Sequence, residues 1–288
     1  MASLKEIKSR ISSIKSTRQI TSAMKMVASA KLHKAQGAIE NMLPYQSKLN
    51  AILTNFLSND STIESPYIAS RPVHRIAIVV FSSNSSLCGA FNANIIKQFE
   101  QVMEKYSALG RDNILVYPIG KKIEMSVKKK GYVTQGSFQH LADKPSYKEA
   151  SELSVQLMEL FASQEVDKVE LIYHHFKSIG SHILVNEDYL PIDLGTHEMN
   201  VVKNKIDYIV EPSASEFITS LLPQVIILKI FTVLLDSNAS EHAARTMAMQ
   251  VATDNANELI LDLTKQYNKS RQQAITNELL DIIGGSMK

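Results

Sequence analysis

Three groups of residues in this 288-residue sequence have types and spacing that could do chemistry. The loop Ser82-Ser83-Asn84-Ser85-Ser86-Leu87-Cys88-Gly89 follows a run of β-branched residues, and α/β folds bind ligands beyond the carboxyl ends of such strands. It lacks the glycine spacing of a dinucleotide fingerprint and the lysine of a P-loop, so nucleotide binding there would rest on fold analogy alone. Cys88 is the single cysteine, which excludes an intramolecular disulfide and a multi-cysteine zinc cluster. As a nucleophile it would need an activating base, and no signature names one; a small buried thiol is the simpler expectation. His174, His175 and His182 could meet on a hairpin as a metal site. Alternation along a strand sends His174 and His175 to opposite faces, so at most two of the three could converge. Histidines packed singly on strands are the expectation. No carboxylate pair, triad or metal spacing is recognisable elsewhere. The residues point to a chain with no catalytic site, no cofactor and no metal of its own.

Charge is the other candidate chemistry. The net charge of +2 says little, but residues 1–34 carry Lys5, Lys8, Arg10, Lys15, Arg18, Lys25, Lys31 and Lys34 against one acid, Glu6. A solvated face is one reading of that run. Binding nucleic-acid phosphates is a second, but only Tyr45 supplies an aromatic ring in the first fifty residues, so no nucleic-acid partner is expected. Attraction to acidic surfaces of a protein partner is the third.

The elements that must position these residues come in two grammars. At the start, Ser3 and Glu6 have capping-box spacing, and a 3,4 alternation runs Leu4, Ile7, Ile11, Ile14, Arg18, Thr21, Lys25, Ala28, Leu32, Ala35, Ile39, Met42. This is the narrow seam of a coiled coil. At the polar interruption, Ile20, Met24 and Val27 sit just off the seam, which predicts that the stripe shifts there. Pro44 is a kink candidate, and Asn59 to Pro66 end the helix. The middle alternates strand and helix: an apolar strand at 76–81, a helix through Phe91–Met103, a strand at 113–117, a lysine-rich helix to Lys130, and a helix at 146–163. A 168–176/182–190 pair closes it as an antiparallel edge hairpin. Asp207 to Pro212 is read as extended. From Ser213 a helical pattern runs almost to the end, with Pro223 near its start and no glycine before Gly284. Roughly seventy residues of helix span about 105 Å, against a radius of gyration of about 19 Å for a globule of this length. The helix therefore needs a partner outside the globule. Ala239, Ala243, Ala244, Ala248, Ala252 and Ala256 recur along it and predict close pairing, with the N-terminal helix as the partner. The expected divisions are 1–57, 73–207 and 208–288, an α/β domain inserted between the helices of a long antiparallel coiled coil. Because the last helix outruns the first, its tip would expose Ile275, Leu279, Leu280, Ile282 and Ile283, as partner surfaces do.

Composition is ordinary for a globular protein, with 44% hydrophobic and 21% charged residues. No uninterrupted run of 18 apolar residues is present, so no transmembrane span is expected. Met1-Ala2-Ser3-Leu4-Lys5-Glu6 has no apolar leader segment, which predicts retention in the compartment of synthesis.

Both ends of the chain carry longer motifs. Ile20-Thr21-Ser22-Ala23-Met24-Lys25-Met26-Val27-Ala28-Ser29-Ala30-Lys31 resembles the N-terminal helix of the gamma subunit of F-type ATP synthases. Ser240-Glu241-His242-Ala243-Ala244-Arg245, Met247-Ala248-Met249, Ala252-Thr253-Asp254-Asn255-Ala256, Tyr267-Asn268, Arg271-Gln272 and Ile275-Thr276-Asn277-Glu278 resemble its C-terminal helix. Leu87-Cys88-Gly89-Ala90-Phe91-Asn92 and Tyr208 with Glu211-Pro212 are similar more weakly. Asn84-Ser85-Ser86 stands where that family usually has Asp-Arg-Gly. The resemblance covers the full length and is of the bacterial type. It implies a rotor shaft that couples a membrane c-ring to ATP synthesis or hydrolysis in a ring of three alpha and three beta subunits. Ring contacts are expected at Met24, Lys25, Arg245, Arg271, Gln272, Ile275, Thr276, Leu279 and Ile282. Contacts with the epsilon subunit and the c-ring are expected at Tyr208 and Glu211. The implied location is the cytoplasmic face of a bacterial inner membrane, peripheral and membrane-associated through the c-ring only. The alternative from the residues themselves is a structural coiled-coil tether with a ligand-binding α/β insertion; an independent α/β enzyme has the least support.

Overall fold

The computed structural model describes residues 3–59, 65–192 and 214–286. The capping box forms: the Ser3 N–H donates to a Glu6 carboxylate oxygen at 2.8 Å and the Glu6 N–H donates to the Ser3 hydroxyl at 3.2 Å. These bonds satisfy backbone donors that have no intrahelical partner, and they start helix α1, Leu4–Asn59. The last helix is also continuous, from Ala214 to Ser286, and Pro223 lies inside it. Having no N–H, Pro223 cannot donate to the carbonyl one turn earlier.

Between the two helices come β1 (Ile76–Phe81), α2 (Phe91–Lys105), β2 (Ile114–Ile119), α3 (Lys121–Lys129), α4 (Gln139–Asp143), α5 (Tyr147–Ala162), β3 (Lys168–Ser178) and β4 (Ser181–Leu190). The C-terminal helix, Ala214–Ser286, is α6. The sheet order is β2-β1-β3-β4. β1 lies parallel to β2 and to β3, and β4 runs antiparallel on β3 at the edge. This is the mixed α/β insertion that the alternation of apolar runs predicts. The hairpin is tighter than its sequence suggests, with only Ile179 and Gly180 between the strands.

By contacts the chain divides into two compact units: residues 30–244, and residues 1–29 together with 245–288. In the larger unit, β1 is buried on both faces, so its side chains feed two cores by simple alternation. Ala77, Val79 and Phe81 join Leu49 and Leu53 of α1, Leu157 and Phe161 of α5, and Leu222, Ile226 and Leu234 of α6. Ile76, Ile78 and Val80 join Ile95 and Phe99 of α2 and Ile123 and Val127 of α3. Full burial of each such side chain is worth about 1.5–3 kcal/mol. That explains why both terminal helices are drawn against the insertion. By length and composition alone, α6 contains an 18-residue window of mean hydropathy 2.1, long and apolar enough to cross a membrane. Half of that window is buried inside the protein.

The alanine stripe has two partners where one was expected. Ala239 and Ala243 pack on Leu32 and Ala35 of α1, whereas Ala244 packs on Cys88 and Phe91 of the insertion. Small side chains let α6 approach both at once.

Candidate functional site

The smaller unit is a pair of helix segments, and its geometry can be built from the α1 seam. Ile7, Thr21 and Ala28 of α1 are buried, as are Met249 and Ala256 of α6. Thr21 is 9% exposed, and its hydroxyl lies 2.9 Å from that of Thr253. Each hydroxyl also has a backbone acceptor in its own helix, the Arg18 carbonyl at 3.1 Å for Thr21 and the Met249 carbonyl at 2.8 Å for Thr253, so either can donate to the other. One turn along, an Arg18 Nη1–H donates to the Asn257 side-chain oxygen at 3.2 Å. The seam therefore runs straight through its polar positions, with hydrogen bonds in place of apolar contact. The expected shift of the stripe does not occur. Of its displaced continuation, Ile20 and Val27 are 60% and 59% exposed, and Met24 alone is half-buried.

That outcome uncovers residues that periodicity alone hides. Ile20, Met26 and Val27 on α1 and Met247, Val251, Leu259 and Leu261 on α6 are large, apolar and exposed. A sequence signal existed, since Ile20 and Val27 lie off the 3,4 spacing. It marks an outward face that the described residues leave exposed.

The register also fixes where the pair ends. The pairs Thr21–Thr253 and Arg18–Asn257 run antiparallel, so Leu4, the first helical residue of α1, falls level with Ser270 and Arg271. Past that point α6 continues without α1. Arg271, Gln272, Ile275, Thr276, Leu279, Leu280, Ile282 and Ile283 are all exposed there. The Thr276 hydroxyl is turned back onto the Gln272 carbonyl at 2.9 Å, which leaves the apolar side chains as the tip's main feature. Met24, Lys25 and Arg245 are half-buried. Tyr208 and Glu211 lie outside the described residues.

The loop after β1 is built for a different job from ligand binding. Three successive donors at the start of α3 are taken by it: Lys121 N–H by the Asn84 side-chain oxygen (2.9 Å), Lys122 N–H by the Ser83 carbonyl (3.1 Å) and Ile123 N–H by the Ser82 hydroxyl (3.0 Å). A helix N-terminus binds phosphate through such donors, so this one is already used. The Asn84 amide donates in turn to the Gln139 carbonyl and to Asp143, both at 2.7 Å, and so ties α4 to the loop. Gly120 lets the two loops touch: at φ +100°, a Cβ there would stand 2.2 Å from the Ser82 carbonyl oxygen. The crevice left among Ser82, Asn84, Asp143, Leu234, Asn238 and Glu241 holds about 20 Å³, room for about one water. A nucleotide does not fit.

Cys88 is buried and accepts a hydrogen bond from the Asn92 amide at 3.1 Å. Of the histidines, His174 and His182 do converge, with ring centroids 5.0 Å apart, and His174 stacks on Phe91 at 4.4 Å. Burial, followed by the charge of His182, lowers the His174 pKa to about 3, so it stays neutral. His175 points to the opposite side, onto Asp236 at 2.5 Å. Among the described residues no group of three or more metal-ligating side chains converges.

Comparisons with known proteins agree along the whole chain. Residues 3–287 match the family model described as ATP synthase. The chain is 68% identical over 289 residues to the ATP synthase gamma chain of Bacteroides fragilis, with 100% of each chain covered. It is 43% identical over 288 residues to the ATP synthase gamma chain of Christiangramia forsetii, covering 99% of this chain and 98% of that one. In fold it is similar to a chain of the cryo-EM structure of the Euglena gracilis mitochondrial ATP synthase, OSCP/F1/c-ring, in rotational state 3. There the TM-score is 0.65 at 18% identity, with 99% of this chain and 93% of that chain covered. A chain in the Tetrahymena thermophila mitochondrial central stalk/c-ring structure is similar at TM-score 0.58 and 22% identity, covering 81% and 99%.

Proposed function

The chain belongs to the ATP synthase gamma chain family, the central-stalk subunit of a rotary F-type enzyme, and from that premise we propose how its surfaces are used. The paired helices stand in a ring of three alpha and three beta subunits. Met24, Lys25, Arg245, Arg271, Gln272 and Thr276 are its polar and flanking contacts, and Ile275, Leu279 and Ile282 seat the tip. A shaft changes the nucleotide affinity of a ring subunit only through contacts that differ between the states of that subunit. One asymmetric shaft in a pseudo-threefold ring supplies such differences, and turning it moves them from subunit to subunit. The α/β insertion meets the epsilon subunit and the c-ring, with Tyr208 and Glu211 as contacts. The chain has no catalytic site of its own and is peripheral on the cytoplasmic face of a bacterial inner membrane, held there through the c-ring.

The observation that carries this reading is the apolar end of α6, exposed past the point where α1 begins. The tether reading needs a ligand site in the insertion. The strand-end crevice, at about 20 Å³ and with the α3 N-terminus already occupied, does not provide one. Copurification tests the proposal: the chain should bring down alpha and beta subunits at three of each per copy, and alone it should hydrolyse no ATP. Steady ATP hydrolysis by the isolated chain, or no ring in the pull-down, would sink it.

A further inference from the structure

Along one stretch of α6, polar contacts tie the helix to the insertion where apolar packing alone would hold it. The Tyr189 hydroxyl donates to the Ile226 carbonyl at 2.9 Å, and Lys229 pairs with Glu187 at 2.8 Å. Farther along, the Asn238 amide donates to the Ala142 carbonyl at 2.7 Å and the Ser240 hydroxyl to the His174 carbonyl at 3.1 Å. Asp236 stands between these pairs. One of its carboxylate oxygens accepts the His175 Nδ1–H at 2.5 Å, and the other accepts the Phe176 backbone N–H at 2.7 Å. Its side chain is only 13% exposed, with buried Val233 and Leu234 nearby on the same helix.

Stability does not explain the carboxylate. Desolvating a buried charge opposes the gain from pairing it, and an apolar side chain of similar size often serves as well. Direction does explain it. Apolar burial is non-directional and resists separation of two surfaces, whereas two hydrogen bonds to successive residues of one strand fix an angle. We propose that Asp236 is a positioning residue for rotary coupling. It locks the rotation of α6 about its own axis against the β3–β4 hairpin, so that torque in the helix reaches the insertion without slip. The inference rests on the rotor reading above, because only a turning helix loads this contact in shear.

The test uses the complete enzyme in proteoliposomes and compares ATP hydrolysis with ATP-driven ion uptake. Asp236→Ala removes both acceptors. His175→Phe removes one bond from a side chain that is 51% exposed, and so keeps the test open if the first variant assembles poorly. In each, uptake per ATP hydrolysed should fall by about two-fold or more, the lower end of what single positions in a coupled network change. Adding Lys229→Met to His175→Phe should deepen the loss. Uptake per ATP equal to that of the unsubstituted enzyme would overturn the proposal. So would a proportional fall of both activities with the amount assembled, which is the mark of a merely structural residue. Failure of the unsubstituted chain to copurify with a ring overturns the rotor reading instead, and is established before any variant is made.

Discussion

At the scale of single residues, the hairpin histidines show how burial sets chemistry. His174 is 1% exposed and both its ring nitrogens are buried without a hydrogen-bond partner. Its folded pKa lies near 3, against 6.5 for an unperturbed histidine, with burial as the larger cause and His182 second. The unfolded chain therefore takes up a proton at a pH where the folded chain refuses it. Stability is complete above about pH 6.5 and falls as the pH drops toward 3, by up to about 1.4 kcal/mol per pH unit for one group. His182, also depressed by burial, adds to the same slope. His174→Phe keeps a ring to stack on Phe91 and removes one titrating group. Urea midpoints measured at pH 7 and pH 5 should then differ less for this variant than for the parent; an unchanged difference would refute the account. This pair was half legible in the sequence. Alternation separates His174 from His175, but the approach of His182 depends on the hairpin register, which pairs Phe176 with His182 through a tight two-residue turn and a register shift between Phe176 and Ser178.

At the scale of elements, the α1 seam was the clearest signal in the chain. All twelve of its 3,4-spaced positions are buried or half-buried. What spacing did not reveal was how the seam tolerates Arg18 and Thr21. Hydrophobic periodicity treats a polar residue as a gap, whereas two facing hydroxyls close that gap with a hydrogen bond. Each threonine also has a backbone acceptor within its own helix, Arg18 O for Thr21 at 3.1 Å and Met249 O for Thr253 at 2.8 Å. Losing one partner thus strands no hydroxyl, and the pair contributes more to register than to stability. Thr21→Val and Thr253→Val should each destabilise the full-length chain by about 1 kcal/mol or less, and together by less than their sum. The expected coupling in the double-mutant cycle is about 0.5–1 kcal/mol. Thermal unfolding followed by circular dichroism measures it, and strict additivity would show that the two hydroxyls do not act as a pair. The loop after β1 was the least legible element. Its serines and asparagine look like a ligand loop, and only the structure reveals that Ser82, Ser83 and Asn84 are spent on the first turn of α3.

For the whole molecule, the decisive quantity is the difference in length between two helices. α1 has 56 residues and α6 has 73, and the register carries the end of α6 past the start of α1. Leu279, Leu280, Ile282 and Ile283 are each more than half exposed. Seating them in a socket of the ring would recover several kcal/mol at about 25 cal/mol per Å². The two states of the tip predict opposite results for one deletion. Removing residues 278–288 takes away no buried side chain among the described residues. The isolated chain should therefore keep its melting temperature, since changes at surface positions stay within about 0.5 kcal/mol. The assembled enzyme loses the bearing instead, and ATP synthesis should fall while the α/β insertion stays bound to its neighbours. Differential scanning calorimetry of the chain and synthesis rates of the complex separate the two effects. A lower melting temperature with synthesis intact would mean that the tip belongs to the fold of the chain and not to the ring.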